Sequence, residues 1–184
     1  MKTILIKTFF LINCSFCFAQ IHISDQWHLT ANSRENYNGV SMANGQFGIV
    51  TDDTPLRHKE VILGGVYEAS PENGISRIVR GIEFLNLRLK INNKEVTGQN
   101  ISNWQQTIDM KQGISTTSFS FQDLASIDYS ILANRANPFA AMAIVEITPK
   151  KNIEIAAFNY MQIPKELKNA KKNYRVLKDN EYLM

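Results

Sequence analysis

Carboxylates, amides and aromatic rings are the side chains of this chain whose spacing bears on chemistry. Asp52 and Asp53 adjoin Thr54-Pro55, a turn composition. Paired carboxyls do acid–base work only when their surroundings split their proton affinities; beside Thr-Pro they are expected in a solvated loop. Asp109 lies between Ile108 and Met110, just after Gln105 and Gln106. That setting predicts a buried polar cluster or a domain contact held by hydrogen bonds, not catalysis. His22, His28 and His58 lack the spacing of metal ligands, so no metal site is expected. No serine sits in a Gly-x-Ser-x-Gly elbow. Gly45 and Gly48 match only the tail of a Gly-x-Gly-x-x-Gly loop, and no helical pattern follows, so phosphate binding is not expected. No residue is assigned a catalytic role, and no cofactor is implied.

Sugar recognition is the remaining chemistry. A pyranose face presents C–H groups to a π-surface, so Trp27, Trp104, Tyr37 and Tyr67 are candidates for stacking. The competing reading, favoured here, is that these large rings plug a core. Asn38-Gly39 and Asn44-Gly45 are turn dipeptides, because glycine accepts positive φ without steric cost. Gly39, Gly45 and Gly48 are therefore read as structural turn glycines. If any part of the chain reaches a neighbouring active site, the candidates are Arg34 and Asn36 before the first turn and Asn44 and Gln46 in the second.

The elements that must position these residues begin after a leader. Lys2 and Lys7 form a basic segment, Phe9 to Phe18 is largely apolar, and Cys17 and Ala19 are small residues at −3 and −1 of a cut before Gln20. Residues 1–19 thus read as a secretory signal peptide, and the protein as exported to a periplasmic or extracellular space. Both cysteines, Cys14 and Cys17, fall inside it, so the remainder has no disulfide and depends on its core. Two of the 20 Lys and Arg lie in the leader, leaving the rest nearly balanced against 17 Asp and Glu. No basic stripe with interleaved aromatics appears, so no nucleic-acid partner is expected.

The body alternates with period two. Leu85, Leu87, Leu89 and Ile91 share one strand face, with Asn86, Arg88 and Lys90 on the wet one. Asn92-Asn93 turns the chain, so Phe84 to Thr97 reads as a hairpin. Ile114 to Phe121 and Ile127 to Ala133 follow the same pattern, with Gln122 to Ser126 as the turn between them. Ala140 to Thr148 is nearly continuous and apolar, as a central strand covered on both sides would be. Short strands with regular turn signals predict an all-β antiparallel sandwich over residues 20–163. Pro164 to Lys178 has helical composition but weak periodicity, so residues 164–184 read as the start of a linker or of further sandwich.

The order of segments is more specific than any one of them. Trp27-His-Leu is followed by Asn38-Gly39, Ala43-Asn-Gly-Gln-Phe-Gly48, Lys59 to Tyr67, Gly81 to Ile91, Gln105 to Gly113, Phe119-Ser-Phe and Arg135-Ala-Asn-Pro138. This succession resembles the N-terminal domain of glycoside hydrolase family 65, the maltose, trehalose and kojibiose phosphorylases with their related hydrolases. A more distant likeness is to the N-terminal domain of the family 95 fucosidases. The resemblance implies a galactose mutarotase-like β-super-sandwich, here incomplete at its C-terminal end. It also implies a linked (α/α)6 barrel, as partner domain, that carries the catalytic glutamate. The implied substrate is an oligosaccharide, an α-glucoside, and a homodimer is a further implied assembly. A stand-alone carbohydrate-binding module is the alternative reading.

Overall fold

The computed structural model describes residues 26–69, 73–165, 167, 174–177 and 180–183. The leader, its two cysteines and His22 lie outside the described residues. All regular structure among the described residues is β-strand, and every pairing is antiparallel.

One layer is a five-stranded sheet. It contains β1 (His28–Ala31), β8 (Ile101–Asp109), β9 (Ile114–Phe121), β10 (Ala125–Ala133) and β11 (Ala141–Pro149), in that order. The facing layer combines two smaller sheets. One has the order β2 (Ser41–Ala43), β3 (Phe47–Thr51), β4 (His58–Ala69), β5 (Ser76–Arg80). The other has the order β12 (Ile155–Gln162), β6 (Glu83–Ile91), β7 (Lys94–Glu95). They meet where the Leu87 N–H donates to the Leu56 carbonyl at 2.9 Å and the Gly81 N–H to the Val61 carbonyl at 2.7 Å. A last pair, β13 (Tyr174–Leu177) and β14 (Asn180–Leu183), forms its own hairpin.

Alternation explains the core. In β9 and β10 every second residue faces inward, including Phe119, Phe121, Ile127, Tyr129 and Ile131. They meet Met42, Phe47 and Ile49 of β2 and β3, and Leu85, Leu89 and Ile91 of β6. Each such side chain contributes about 2–3 kcal/mol through removal from water. Tyr129 lies in this core yet donates its hydroxyl to the Leu85 carbonyl at 2.6 Å, joining the two layers. The Asn92-Asn93 hairpin forms as read, with both asparagines at positive φ (49° and 62°). Gln122 turns the chain between β9 and β10.

Four sequence readings are corrected. β11 is an edge strand, not a central one, and Met142 and Ile144 on it are 48% and 44% exposed. Its apolar run reflects residues on two faces, one of which no described element covers. Asn86, read as wet, is fully buried, because its amide is taken into a polar cluster described below. Gly48 is not a turn residue: it lies within β3, paired with Ala43 and Ile62. The stretch from Pro164 to Lys178, read as a weak helix or a linker, carries the strand β13 at Tyr174–Leu177.

Candidate functional site

The loop from β1 to β2 is anchored by a polar node. The Tyr37 hydroxyl contacts Thr51 Oγ1 at 3.1 Å and donates to Gln106 Oε1. Thr51 Oγ1 also donates to Gln106 Oε1, at 2.7 Å. Gln106 Nε2 donates to Thr117 Oγ1 at 2.7 Å and to the Asp52 carbonyl at 3.3 Å. Gln106 is thus fully satisfied and buried, as the polar reading of its segment required. Trp104 stacks edge-on against Tyr37, centroids 5.2 Å apart, and is buried. Trp27 and Tyr67 are instead 47% and 63% exposed, so only two of the four aromatics plug the sandwich.

Asp52 and Asp53 are half-buried rather than fully solvated. Burial raises the Asp52 pKa, but hydrogen bonds from Asp53 and Thr54 and the Arg57 charge outweigh it, so the net shift is downward. Asp53 is shifted upward, chiefly by the hydrogen bond it shares with Asp52. Asp52 Oδ1 also accepts the Thr54 N–H at 3.1 Å. These contacts hold a turn, and carboxyls sharing one hydrogen bond leave no room for a glycosidic oxygen between them. Asp109 likewise caps a turn, accepting the Lys111 and Gln112 N–H groups at 2.9 Å each. It does not join Gln106, because the strand alternation sends it elsewhere.

The four rim candidates fall into two groups. Arg34 packs over Gly98 and its charge acts on Asp53, while Asn36 turns the loop at φ 56°. Asn44 and Gln46 lie at the other end of β3, roughly 13 Å away at about 3.3 Å per residue. There Asn44 Oδ1 accepts the Gln46 and Phe47 N–H groups at 3.1 and 3.2 Å. Its Nδ2 donates to the Asn134 and Pro138 carbonyls. Gly39 and Gly45 take positive φ, 90° and 96°.

A second polar cluster was not singled out from the sequence. His58 is fully buried, and neither ring nitrogen has a hydrogen-bond partner. The His58 backbone N–H donates to Asn86 Oδ1 at 3.1 Å, and Asn86 Nδ2 donates to Glu83 Oε2 at 2.9 Å. Burial, reinforced by the adjacent Arg57, lowers the His58 pKa to about 4. Alternation gave no signal for it, since Asn86 falls on the face opposite Leu85 and Leu87 and is buried nonetheless.

Concavities are shallow. One of about 270 Å³ is walled by Met42, Ala43, Phe47, Gly48 and Ile62, and another of about 210 Å³ by Ser41, Ile108, Met110, Gln112 and Arg135. Neither has a carboxylate in its wall. Among the described residues no three His, Cys, Asp or Glu side chains group as metal ligands.

The architecture and its segment order have close counterparts. The pattern of the glycosyl hydrolase family 65 N-terminal domain matches residues 25–182. A kojibiose hydrolase of Flavobacterium johnsoniae is 36% identical over 168 residues, 90% of this chain and 24% of that protein. A kojibiose hydrolase of Mucilaginibacter mallensis is 32% identical over 161 residues, 86% of this chain and 24% of that protein. The chain therefore spans about a quarter of the length of these curated relatives. A solved structure titled as a kojibiose phosphorylase from the human microbiome shares the fold. Its TM-score is 0.61 at 13% identity, over 71% of this chain and 21% of that one. With its sandwich matched almost end to end, the chain belongs to glycoside hydrolase family 65, of which it is the N-terminal domain.

Proposed function

We propose that this domain is the non-catalytic sandwich of an exported family 65 enzyme that hydrolyses kojibiose or a related α-glucoside. The carrying observation is the 36% and 32% identity to two kojibiose hydrolases across nearly all of this chain. Its own carboxylates support that division of labour: Asp52, Asp53, Asp109 and Glu83 are each committed to holding the fold. Catalysis at a glycosidic bond needs an acid on one face of the sugar and an attacking group on the other. In this reading both belong to an (α/α)6 barrel that the sandwich supports. The basic and apolar leader favours hydrolysis, since a sugar phosphate released outside the cell has little use.

Rim contact is part of the proposal. Arg34 with Asn36, or Asn44 with Gln46, borders the barrel pocket, but the spacing along β3 lets only one pair do so at close range. A homodimer of the whole enzyme is compatible with this arrangement.

The test is an assay of the full-length gene product on kojibiose with and without inorganic phosphate. Glucose release independent of phosphate is expected, with Arg34→Ala or Gln46→Ala altering KM. Release that requires phosphate would make the parent a phosphorylase. No turnover of any α-glucoside, together with saturable sugar binding, would replace this reading by a stand-alone carbohydrate-binding module.

A further inference from the structure

The sandwich has an arm. β3 follows β4 only as far as the Phe47–Leu63 pair. Gly64 still donates its N–H to the Gln46 carbonyl at 2.7 Å; past it β4 pairs only with β5 among the described residues, in a ribbon pairing Tyr67 with Ile78, Glu68 with Arg77 and Ala69 with Ser76. The shift in register between Ile62 and Tyr67, with Gly65 at φ 75°, marks where the arm leaves the sheet. Directly paired residues share a face. One face therefore carries Tyr67, Ala69, Ser76 and Ile78 and no charge. The other carries Glu68 and Arg77, joined by an ion pair of 2.6 Å, with Val66, 42% exposed, beside them at the base of the arm.

The uncharged face is bare: Tyr67 is 63% and Ile78 53% exposed. A two-stranded ribbon is marginally stable in water unless something covers its apolar side. The Glu68–Arg77 ion pair suits its side to solvent despite Val66, and the larger bare apolar surface is that of Tyr67 and Ile78, so the covering body meets the Tyr67–Ile78 side.

We infer that this side of the β4–β5 arm docks onto an apolar patch elsewhere in the same polypeptide, C-terminal to the sandwich. Area selects this occupant over a second copy. A stable dimer buries roughly 800 Å² per partner, and one aromatic ring with one isoleucine supplies only part of that. A contact within one chain costs much less association entropy than one between separate molecules, so a small apolar pair can suffice. The relatives supply the occupant: this chain matches only 24% of their length. The inference rests on the reading of this chain as one domain of such a longer protein.

The test uses the full-length protein with p-benzoylphenylalanine, a photo-crosslinker, in place of Tyr67 or, separately, Ile78. Arg77 on the opposite side serves as the control position. Light and heavy isotope-labelled copies are mixed before irradiation, and a thermal melt establishes that each variant folds. Expected are crosslinks from 67 and 78 to peptides beyond residue 184, without isotope mixing, at several-fold higher yield than from 77. Isotope-mixed crosslinks would assign the arm to a second copy and overturn the inference. Crosslinks confined to the sandwich, or equal yields from both sides, would overturn it as well. The crosslinks do not depend on turnover, so a loss of kojibiose hydrolysis would sink the proposed activity while leaving the docking result intact.

Discussion

Asn44 and Asn134 are joined by a hydrogen bond of 2.8 Å from the Asn44 amide to the Asn134 carbonyl. The same amide nitrogen reaches the Pro138 carbonyl at 3.1 Å, while its oxygen caps the turn at Gln46 and Phe47. One side chain thus pins the β2–β3 turn to the β10–β11 loop, from the opposite layer. Asn44→Ala should cost about 2 kcal/mol, since two carbonyls and two N–H groups lose their partner. Asn44→Asp keeps the cap but sets a carboxylate against two carbonyls, and should be no milder. Urea unfolding reads both; an alanine variant as stable as the parent would show the pin to be dispensable.

Gln106 should be more demanding. It is 2% exposed and serves Tyr37, Thr51, Thr117 and the Asp52 carbonyl together. Gln106→Leu strands several of these groups in a dry place, with an expected loss of about 3 kcal/mol. Tyr37→Phe removes one hydroxyl from the node and keeps the ring on Trp104, so about 1 kcal/mol is expected. Denaturant midpoints that rank the two in reverse order would show that the node depends on the Tyr37 hydroxyl more than on the Gln106 amide.

Acid stability tests His58. Its pKa is lowered from 6.5 to about 4, so the unfolded chain binds the extra proton first. The stabilising contribution of its neutral form is complete above pH 6.5 and drains away as pH falls towards 4. Over that window the loss is about 3 kcal/mol, from 1.36 kcal/mol per pKa unit. Arg57 beside it opposes protonation and Asp52 favours it. Carboxylate effects are common to parent and variant, so His58→Leu isolates the imidazole. Its stability should fall less steeply across this range. Identical pH slopes would mean that the ring is reached by water or by an unseen partner.

What was legible in the sequence was legible through period two. Ile127, Tyr129, Ile131 and Ala133 face the core as their alternation demanded, and Asn92-Asn93 turns where its φ tolerance allowed. Alternation cannot tell an edge strand from a central one, because both β10 and β11 carry apolar residues; only the neighbour in space decides, and β11 was misread for that reason. It also cannot show when a polar residue is drawn inward by a partner far along the chain, as Asn86 is by the His58 N–H. The rim candidates Asn36 and Asn44 are near in sequence, yet β3 places them at its opposite ends, a separation that turn dipeptides alone do not reveal. Chemistry was the least legible layer, since the carboxylates here are spent on turns and clusters.

Gly39, Gly45 and Gly48 make a graded test. A Cβ at Gly39 would lie 2.4 Å from the Thr51 carbonyl oxygen, in a backbone at φ 90°. Both the strain and the clash are with main chain, which has no rotamer to yield. Gly39→Ala should therefore unfold the β2–β3 hairpin and cost upwards of about 3 kcal/mol. Gly45 also has positive φ, 96°, but nothing lies within 4 Å of its added Cβ. Gly45→Ala should cost only the strain of that conformation, about 1–2 kcal/mol. At Gly48 the nearest atom is the Met42 carbonyl oxygen at 3.6 Å, an ordinary contact, and β3 is extended there. Gly48→Ala should be neutral or slightly stabilising, because alanine loses less backbone freedom on folding than glycine does. Thermal melts of the three variants should rank Gly48→Ala above Gly45→Ala above Gly39→Ala. If Gly48→Ala proved the most damaging, the outer face of β3 at that position would have to be occupied by a tightly packed neighbour.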